Sequence, residues 1–317
     1  MDKSDSINYI SGIKRLKQQK NAIILAHYYQ TGDIQDIADF VGDSLALSQK
    51  AASTDADIIL FAGVKFMAET AKIISPEKKV LLPDINAGCS LADSCKAEDF
   101  SRFIEKNPGR TVISYVNTNV DIKVLSDIIC TSSNAVQIIE SLPANEKIIF
   151  APDRNLGNYI LNKTGKDIVI WDGSCHVHEE FSLEAILKLK KTYPDAKIIV
   201  HPECKLPVRM IADFIGSTSA LLQYTKSDNS NRYIIGTERG IIHQMKKANP
   251  SKEFIPAPPK DSTCGCSDCS FMKLITIEKI YKCLMEEDPE IVIDNDTVTK
   301  ARKPIIRMME ISEKLGL

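Results

Sequence analysis

The sequence predicts an α/β protein of three pseudo-threefold-related units, each a short parallel sheet with helical crossovers. Two observations carry this. Short β-branched runs alternate with amphipathic helical stretches, the pattern of parallel strands joined by crossover helices. The same polar markers also return along the chain at a period of about 87 residues.

The first unit opens with a helix over residues 1–20, where Ile7, Ile10, Ile13 and Leu16 share a face. A strand from Ala22 to Ala26 then runs into His27. Val112 to Ser114 runs likewise into Tyr115, and Lys197 to Val200 into His201. These three markers are 88 and 86 residues apart, and Ser44, Ser132 and Thr218 each lie 17 residues beyond them. A second apolar run (Ile58 to Ala62, Ile148 to Ala151, Tyr233 to Gly236) ends 35, 36 and 35 residues past the marker. Cys89 and Cys175 follow at offsets 62 and 60, and a cluster of Cys264, Cys266 and Cys269 begins at 63. Helical stretches are expected at Ile34 to Ala51 and at Glu184 to Lys191. The units span 1–105, 106–192 and 193–270. Residues 271–317 fall outside the repeat. They read as a helix from Met272 to Glu286, a break at Asp288-Pro289, a short strand from Ile291 to Ile293 and a final helix from Lys300 to Leu315.

Composition narrows the function. The 317 residues are 44% apolar, enough for a substantial core. A formal net charge of -2 gives no reason to expect nucleic acid or an anionic membrane as partner. No apolar run nears the roughly 20 residues of a membrane helix. The polar stretch Met1 to Lys20 has no signal-peptide core, so a cytoplasmic location is expected. In that compartment nine cysteines do not make a disulfide framework.

Parallel sheets bind ligands at the carboxyl ends of their strands, where the polar markers sit. Ser44, Ser132 and Thr218 stand where crossover helices should begin, so hydroxyls and helix N-termini can receive anionic groups there. Cys89, Cys175 and one of the third cluster occupy polar, glycine-containing loops, with Gly88 allowing close backbone approach. Three soft donors from remote segments suit a 4Fe–4S cluster with one iron left open as a Lewis acid. Cys264, Cys266 and Cys269 also read as half of a zinc site. Cys130, Cys204 and Cys283 read as structural, and Cys95 leans the same way. His27, His178 and His201 are candidate ligand contacts or acid–base groups. Glu203 is the leading candidate for proton transfer, with its pKa perturbed for work near neutrality. Tyr29 is a phenol placed to protonate an enolate.

With these residues in view, the sequence resembles the quinolinate synthase family, iron–sulfur enzymes of de novo NAD synthesis. The resemblance covers nearly the whole chain. It rests on Ala-His-Tyr-Tyr-Gln (26–30), Gly-Asp-Ser-Leu (42–45), Phe-Ala-Gly-Val-Lys-Phe-Met-Ala-Glu (61–69), Ser-Tyr-Val-Asn (114–117), Cys-Thr-Ser-Ser-Asn-Ala (130–135), Ala-Pro-Asp-Arg-Asn-Leu-Gly (151–157), Trp-Asp-Gly-Ser-Cys-His-Val-His (171–178), Val-His-Pro-Glu-Cys (200–204), Gly-Ser-Thr-Ser (216–219), Gly-Thr-Glu-Arg-Gly (236–240) and Cys-Ser-Phe-Met-Lys (269–273).

The resemblance implies condensation of iminoaspartate with dihydroxyacetone phosphate to quinolinate, with loss of phosphate and water. It implies a triangle of three α/β domains around a central active site and a 4Fe–4S cluster held by Cys89, Cys175 and Cys269, one per unit. It places substrate contacts at His27, Ser44, Tyr115, Val116, Asn117, Ser132, His201, Pro202, Glu203, Ser217 and Thr218. Tyr29, His178, His201 and Glu203 take the catalytic roles. An aspartate-oxidising enzyme would supply the iminoaspartate. The chain departs from many members in having Ser270 after the third ligand, where they have Pro. Another iron–sulfur hydro-lyase and a redox-sensing regulator are the competing readings; the charge balance opposes the second.

Overall fold

The computed structural model describes residues 3–260 and 268–317. Cys264 and Cys266, and the half zinc site read from them, lie outside the described residues. The first sheet holds β1 (Ala22–His27), β2 (Phe40–Gly42), β3 (Ile58–Ala62) and β4 (Lys79–Leu81). The second holds β5 (Thr111–Tyr115), β6 (Ile128–Cys130), β7 (Lys147–Ala151) and β8 (Asp167–Ile170). The third holds β9 (Lys197–Val200), β10 (Phe214–Ile215), β11 (Arg232–Gly236) and β12 (Glu253–Pro256). Each sheet runs second, first, third, fourth strand, and every pairing is parallel.

Helices cover both faces, so the central strands are apolar at successive positions instead of alternating. Ile59, Leu60, Ile148, Ile149, Ile234 and Ile235 are fully buried. Each such side chain contributes about 1.5–3 kcal/mol of transfer free energy. One continuous core joins the first two units to the C-terminal segment, while the third unit has two further cores, one of them shared with Val177, Phe181 and Ile186 of the second.

The edge strands β2, β6 and β10 are absent from the sequence reading. The stretch from Ile34 to Ala51 is not one helix: it divides into Gly32–Ile37, β2 and Ser44–Ser53. Strands of two or three residues are too short to show a period. The repeat nevertheless marks them. Asp39, Asp127 and Asp213 each accept the backbone N–H of a residue 15 positions earlier, Ile24, Val112 and Ile198, at 2.8 Å in all three units. An aspartate 12 residues past every marker thus pins the edge strand to the central one.

The C-terminal segment also differs from expectation. Met272–Leu274 is a single 3-10 turn, and the helix proper is Ile277–Glu286, because the Thr276 hydroxyl caps it through Lys279 N–H. Residues 291–293 form no strand. The final helix starts early, at Asn295, where the Asp294 carboxylate accepts from Thr297 N–H. It docks on the second unit, with Asn134 Nδ2 donating to Ser312 Oγ at 3.0 Å. Among the described residues no helix is long and apolar enough to cross a membrane.

Candidate functional site

The strand ends deliver the first groups. His27 ends β1, Tyr115 ends β5 and His201 follows β9, and all three line one pocket shared by the three units. His27 Nδ1 accepts the Tyr29 N–H at 3.2 Å, and His201 Nδ1 accepts the Glu203 N–H at 3.3 Å. With Nδ1 used as acceptor, each neutral ring carries its proton on Nε2. Burial pushes His27 down to about 4 and His201 to about 3. Both rings are therefore uncharged Nε2–H donors at neutral pH.

Glu203 is buried among polar partners. The Tyr115 hydroxyl donates to its Oε1 at 2.7 Å, His178 Nδ1 lies 3.2 Å from Oε2, and His201 Nδ1 lies 3.6 Å from Oε1. Burial opposes its charge, but its polar neighbours, the His178 and His201 rings and the Tyr115 O–H, draw the carboxyl below its ordinary value. A pKa suited to giving up a proton near neutrality is therefore not what the site provides: Glu203 is an ionised acceptor. Tyr29 Oη lies 2.6 Å from Thr237 Oγ1 and 3.2 Å from Thr218 Oγ1. Burial, then the Glu203 charge, pushes this phenol well above its ordinary value, so it keeps its proton. His178 Nε2 lies 3.0 Å from Thr237 Oγ1, and its ring stacks on His201 at 4.8 Å. One polar chain, Tyr29–Thr237–His178–Glu203–Tyr115, thus crosses all three units.

Ser44, Ser132 and Thr218 all line the pocket. Ser44 and Thr218 open the helices Ser44–Ser53 and Thr218–Ser227, as expected, but the capping side chains are their neighbours. Asp43 accepts from Ala46 N–H and Ser217 from Ala220 N–H. Ser132 stands apart from its helix. Asn134 Oδ1 takes the Thr131 N–H at 2.6 Å, and this turn delays the helix to Ala135. Asn117 reaches the pocket, and its buried Oδ1 has no hydrogen-bond partner among the described residues. Three expected contacts do not line it. Ser217 is a cap, Val116 bonds through its N–H to Cys130 O, and Pro202 is buried.

Sequence reasoning passed over Asp43, Thr131 and Glu238, and the apolar wall of Val64, Phe66, Met67, Val177 and Met272. A repeat signal existed for Glu238, which lies two residues past β11 as Asp153 lies two past β7. Glu238 is fully buried, and burial raises its carboxyl to about 7 against the opposing pull of Lys273, 2.7 Å away.

Cys89, Cys175 and Cys269 line the same pocket, and each sits just before a short helical turn. Burial pushes Cys89 up to about 12, Cys175 well above its usual value and Cys269 upward. Backbone amides of Leu91 and Ala92, of His178, and of Phe271 and Met272 pull the other way. Three buried thiols with amides aimed at them become thiolates when a soft cation supplies the missing charge. The donor set therefore fits a metal centre. Cys175, His178 and Glu203 also offer donor atoms within 4.8 Å of one another, but the last two are engaged in the polar chain. Cys95, Cys130, Cys204 and Cys283 are free, buried and outside the pocket lining. Cys204 donates to Gly236 O.

The cysteine loops leave their sheets alike. Lys65 N–H donates to Ala87 O at 2.7 Å and Arg154 N–H to Gly173 O at 2.8 Å, in each case to the carbonyl two residues before the cysteine. Gly173 is required there: a Cβ would meet Ser94 Oγ at 2.4 Å and the Pro152 carbonyl at 2.5 Å. Gly88 is not, since a Cβ would find nothing nearer than 3.7 Å. The close approach expected at Gly88 is absent because Phe271 leaves room.

Fold and site define an α/β protein whose three related units share one buried polar pocket with three soft donors. Known proteins place it further. The family described as Quinolinate synthetase A protein matches residues 11–310. The quinolinate synthase of Thermosynechococcus vestitus is 56% identical over 96% of each chain. That of Microcystis aeruginosa is 58% identical over 95% of this chain and 94% of its own. That of Synechocystis sp. is 57% identical over 96% and 95%. The chain belongs to the quinolinate synthetase A family.

Proposed function

We propose that the chain is an enzyme that condenses iminoaspartate with dihydroxyacetone phosphate and releases quinolinate, phosphate and water. The observation that carries the reading is the meeting of one cysteine from each unit with the Tyr29–Glu203 polar chain in a single pocket. Cys89, Cys175 and Cys269 would hold a 4Fe–4S cluster with one iron free of protein ligands. When bound, that cluster supplies a Lewis acid toward hydroxyl or carboxylate oxygens for dehydration.

The protein's own groups do the rest. Ser44, Ser132, Thr218 and the unpartnered Asn117 Oδ1 orient the substrates, with the Nε2–H donors of His27 and His201 facing their anionic oxygens. Uncharged donors suit a pocket that must also release its anionic products. The enamine carbon of iminoaspartate forms a bond to the phosphate-bearing carbon of the triose, and the carbon–oxygen bond to phosphate breaks. Glu203, already ionised, accepts the proton that must leave carbon for the carbonyl to migrate. Tyr29, still protonated, donates to the enolate oxygen. The substrate nitrogen then closes on the resulting aldehyde. The cytoplasm is the proposed location, supported by the seven cysteines among the described residues, all free, and an aspartate-oxidising enzyme is the proposed source of iminoaspartate.

Protein purified without oxygen tests this. It should contain about four irons and four sulfides and form quinolinate from the two substrates, and Cys175→Ala should lose both properties. Full activity in a colourless Cys175→Ala protein would refute the reading, and a single zinc per chain would favour the Cys175–His178–Glu203 set.

A further inference from the structure

The third strand of each unit ends at an equivalent residue: Ala62 in β3, Ala151 in β7 and Gly236 in β11. Two residues later stand Val64, Asp153 and Glu238. The last two are fully buried carboxyl groups, and each accepts the backbone N–H of a pocket cysteine. Asp153 Oδ2 takes Cys175 N–H at 3.2 Å, and Glu238 Oε1 takes Cys269 N–H at 3.3 Å. Their second oxygens are also used: Asp153 Oδ1 caps the helix Arg154–Thr164 through Leu156 N–H at 2.7 Å, and Glu238 Oε2 accepts from Gly240 N–H at 2.7 Å. Lys273 Nζ joins Glu238 Oε1 at 2.7 Å and donates to Tyr29 O at 2.5 Å, which ties the third cysteine loop to the first unit. The first unit has no such carboxylate; Val64 there faces the pocket.

We propose that Asp153 and Glu238 are positioning residues that clamp the Cys175 and Cys269 backbones, so that these two sulfurs are presented to the metal centre at fixed angles, whereas among the described residues no carboxylate takes the Cys89 N–H. The inference rests on the proposed cluster. Its physical basis is general: partners that hydrogen-bond a ligand residue fix its orientation, and their loss typically costs about 10–100-fold in metal affinity. Neither residue contacts the reacting atoms in this account; both act through the cysteines.

Asp153→Asn isolates the effect. Asn is as good a helix cap as Asp, so the new amide oxygen keeps Leu156 N–H while its NH2 faces Cys175 N–H, donor against donor. Glu238→Gln is the second variant. Its amide oxygen can stay with Lys273 and Cys269, which share Oε1, while the NH2 faces Gly240 N–H, so a smaller effect on Cys269 is expected. The measurements are the rate of iron release to a chelator under anaerobic conditions, the electron paramagnetic resonance spectrum of the reduced cluster, and the melting temperature of metal-free protein. Expected is iron release about 10–100-fold faster in Asp153→Asn, with an altered spectrum and an unchanged metal-free melting temperature. Parental release rates and spectra in both variants would overturn the clamp and leave the proposed function standing. So would faster release that merely tracks a fall in metal-free stability. A parent protein without iron and sulfide would overturn both.

Discussion

The Cys89 and Cys175 loops start from the same backbone bond and are finished differently. In each, the residue after next beyond the third strand and its successor face the loop, and the successor's N–H holds the carbonyl two residues before the cysteine. At Cys175 a buried carboxylate then takes the cysteine N–H, and a glycine lets the backbone pass within contact of the Pro152 carbonyl. At Cys89 the equivalent residue is Val64, and a Cβ at Gly88 would fit. A repeat therefore supplies position through the backbone, which every sequence shares. The chemistry at each position is set by side chains that are free to diverge.

Several substitutions break or sharpen this contrast. The largest effect is common to both loops: Cys89→Ala and Cys175→Ala should each lose the iron chromophore and at least about 100-fold in quinolinate formation. A large inequality between them would mean that one thiol is not a ligand. Next comes Glu203→Gln, which removes the proton acceptor and should lower kcat about 10²–10⁴-fold with intact iron content. Retained kcat would move the base elsewhere.

Gly173→Ala and Gly88→Ala test the two loops directly by denaturant unfolding. The first should cost about 1–3 kcal/mol through overpacking, whereas the second should be neutral or stabilise by up to about 1 kcal/mol. Equal effects would erase the distinction.

Lys123 tests the loop of the second unit that carries Asn117. Its buried ammonium donates to the carbonyls of Val116 and Thr118, and burial, opposed by Glu69, lowers it to about 8. Lys123→Met leaves those carbonyls unpaired, costs about 1–3 kcal/mol and should raise KM more than it lowers kcat. Between about pH 8 and the ordinary lysine value near 10.4, the unfolded chain binds a proton that the folded one has shed. Stability from this group therefore rises with pH across that window, and the Met variant should lack the rise.

The smallest effect lies far from either loop. Lys20 and Lys79 hold Glu287 at about 2. This contribution is present above the unfolded carboxyl value near 4.3 and fades as pH falls through about 2. Partial exposure keeps Glu287→Gln under about 1 kcal/mol at neutral pH.

Much of the framework was legible because it is periodic. The central strands and the markers His27, Tyr115 and His201 recur at near-constant spacing, and strand ends in parallel sheets are where ligands sit. The edge strands β2, β6 and β10 were not legible, since two or three residues carry no period, although Asp39, Asp127 and Asp213 repeat at one offset. The ionisation of Glu203 was not legible. Sequence shows that a carboxyl is near histidines, but not that Tyr115 and His178, one from a strand end and one from a short helix, aim at its two oxygens.

The sequence by itself determined the three units, their parallel sheets, the pocket hydroxyls and the family, because apolar periodicity and repeated motifs are local properties of the chain. Only the tertiary structure decided which side chains turn into the pocket, why Ser217 caps a helix while Thr218 faces the site, and how Asp153 and Glu238 reach Cys175 and Cys269. Those outcomes depend on contacts between segments 22 to 31 residues apart or on different units. Hydrogen-bond direction and burial there are fixed by packing, which no spacing within one segment records.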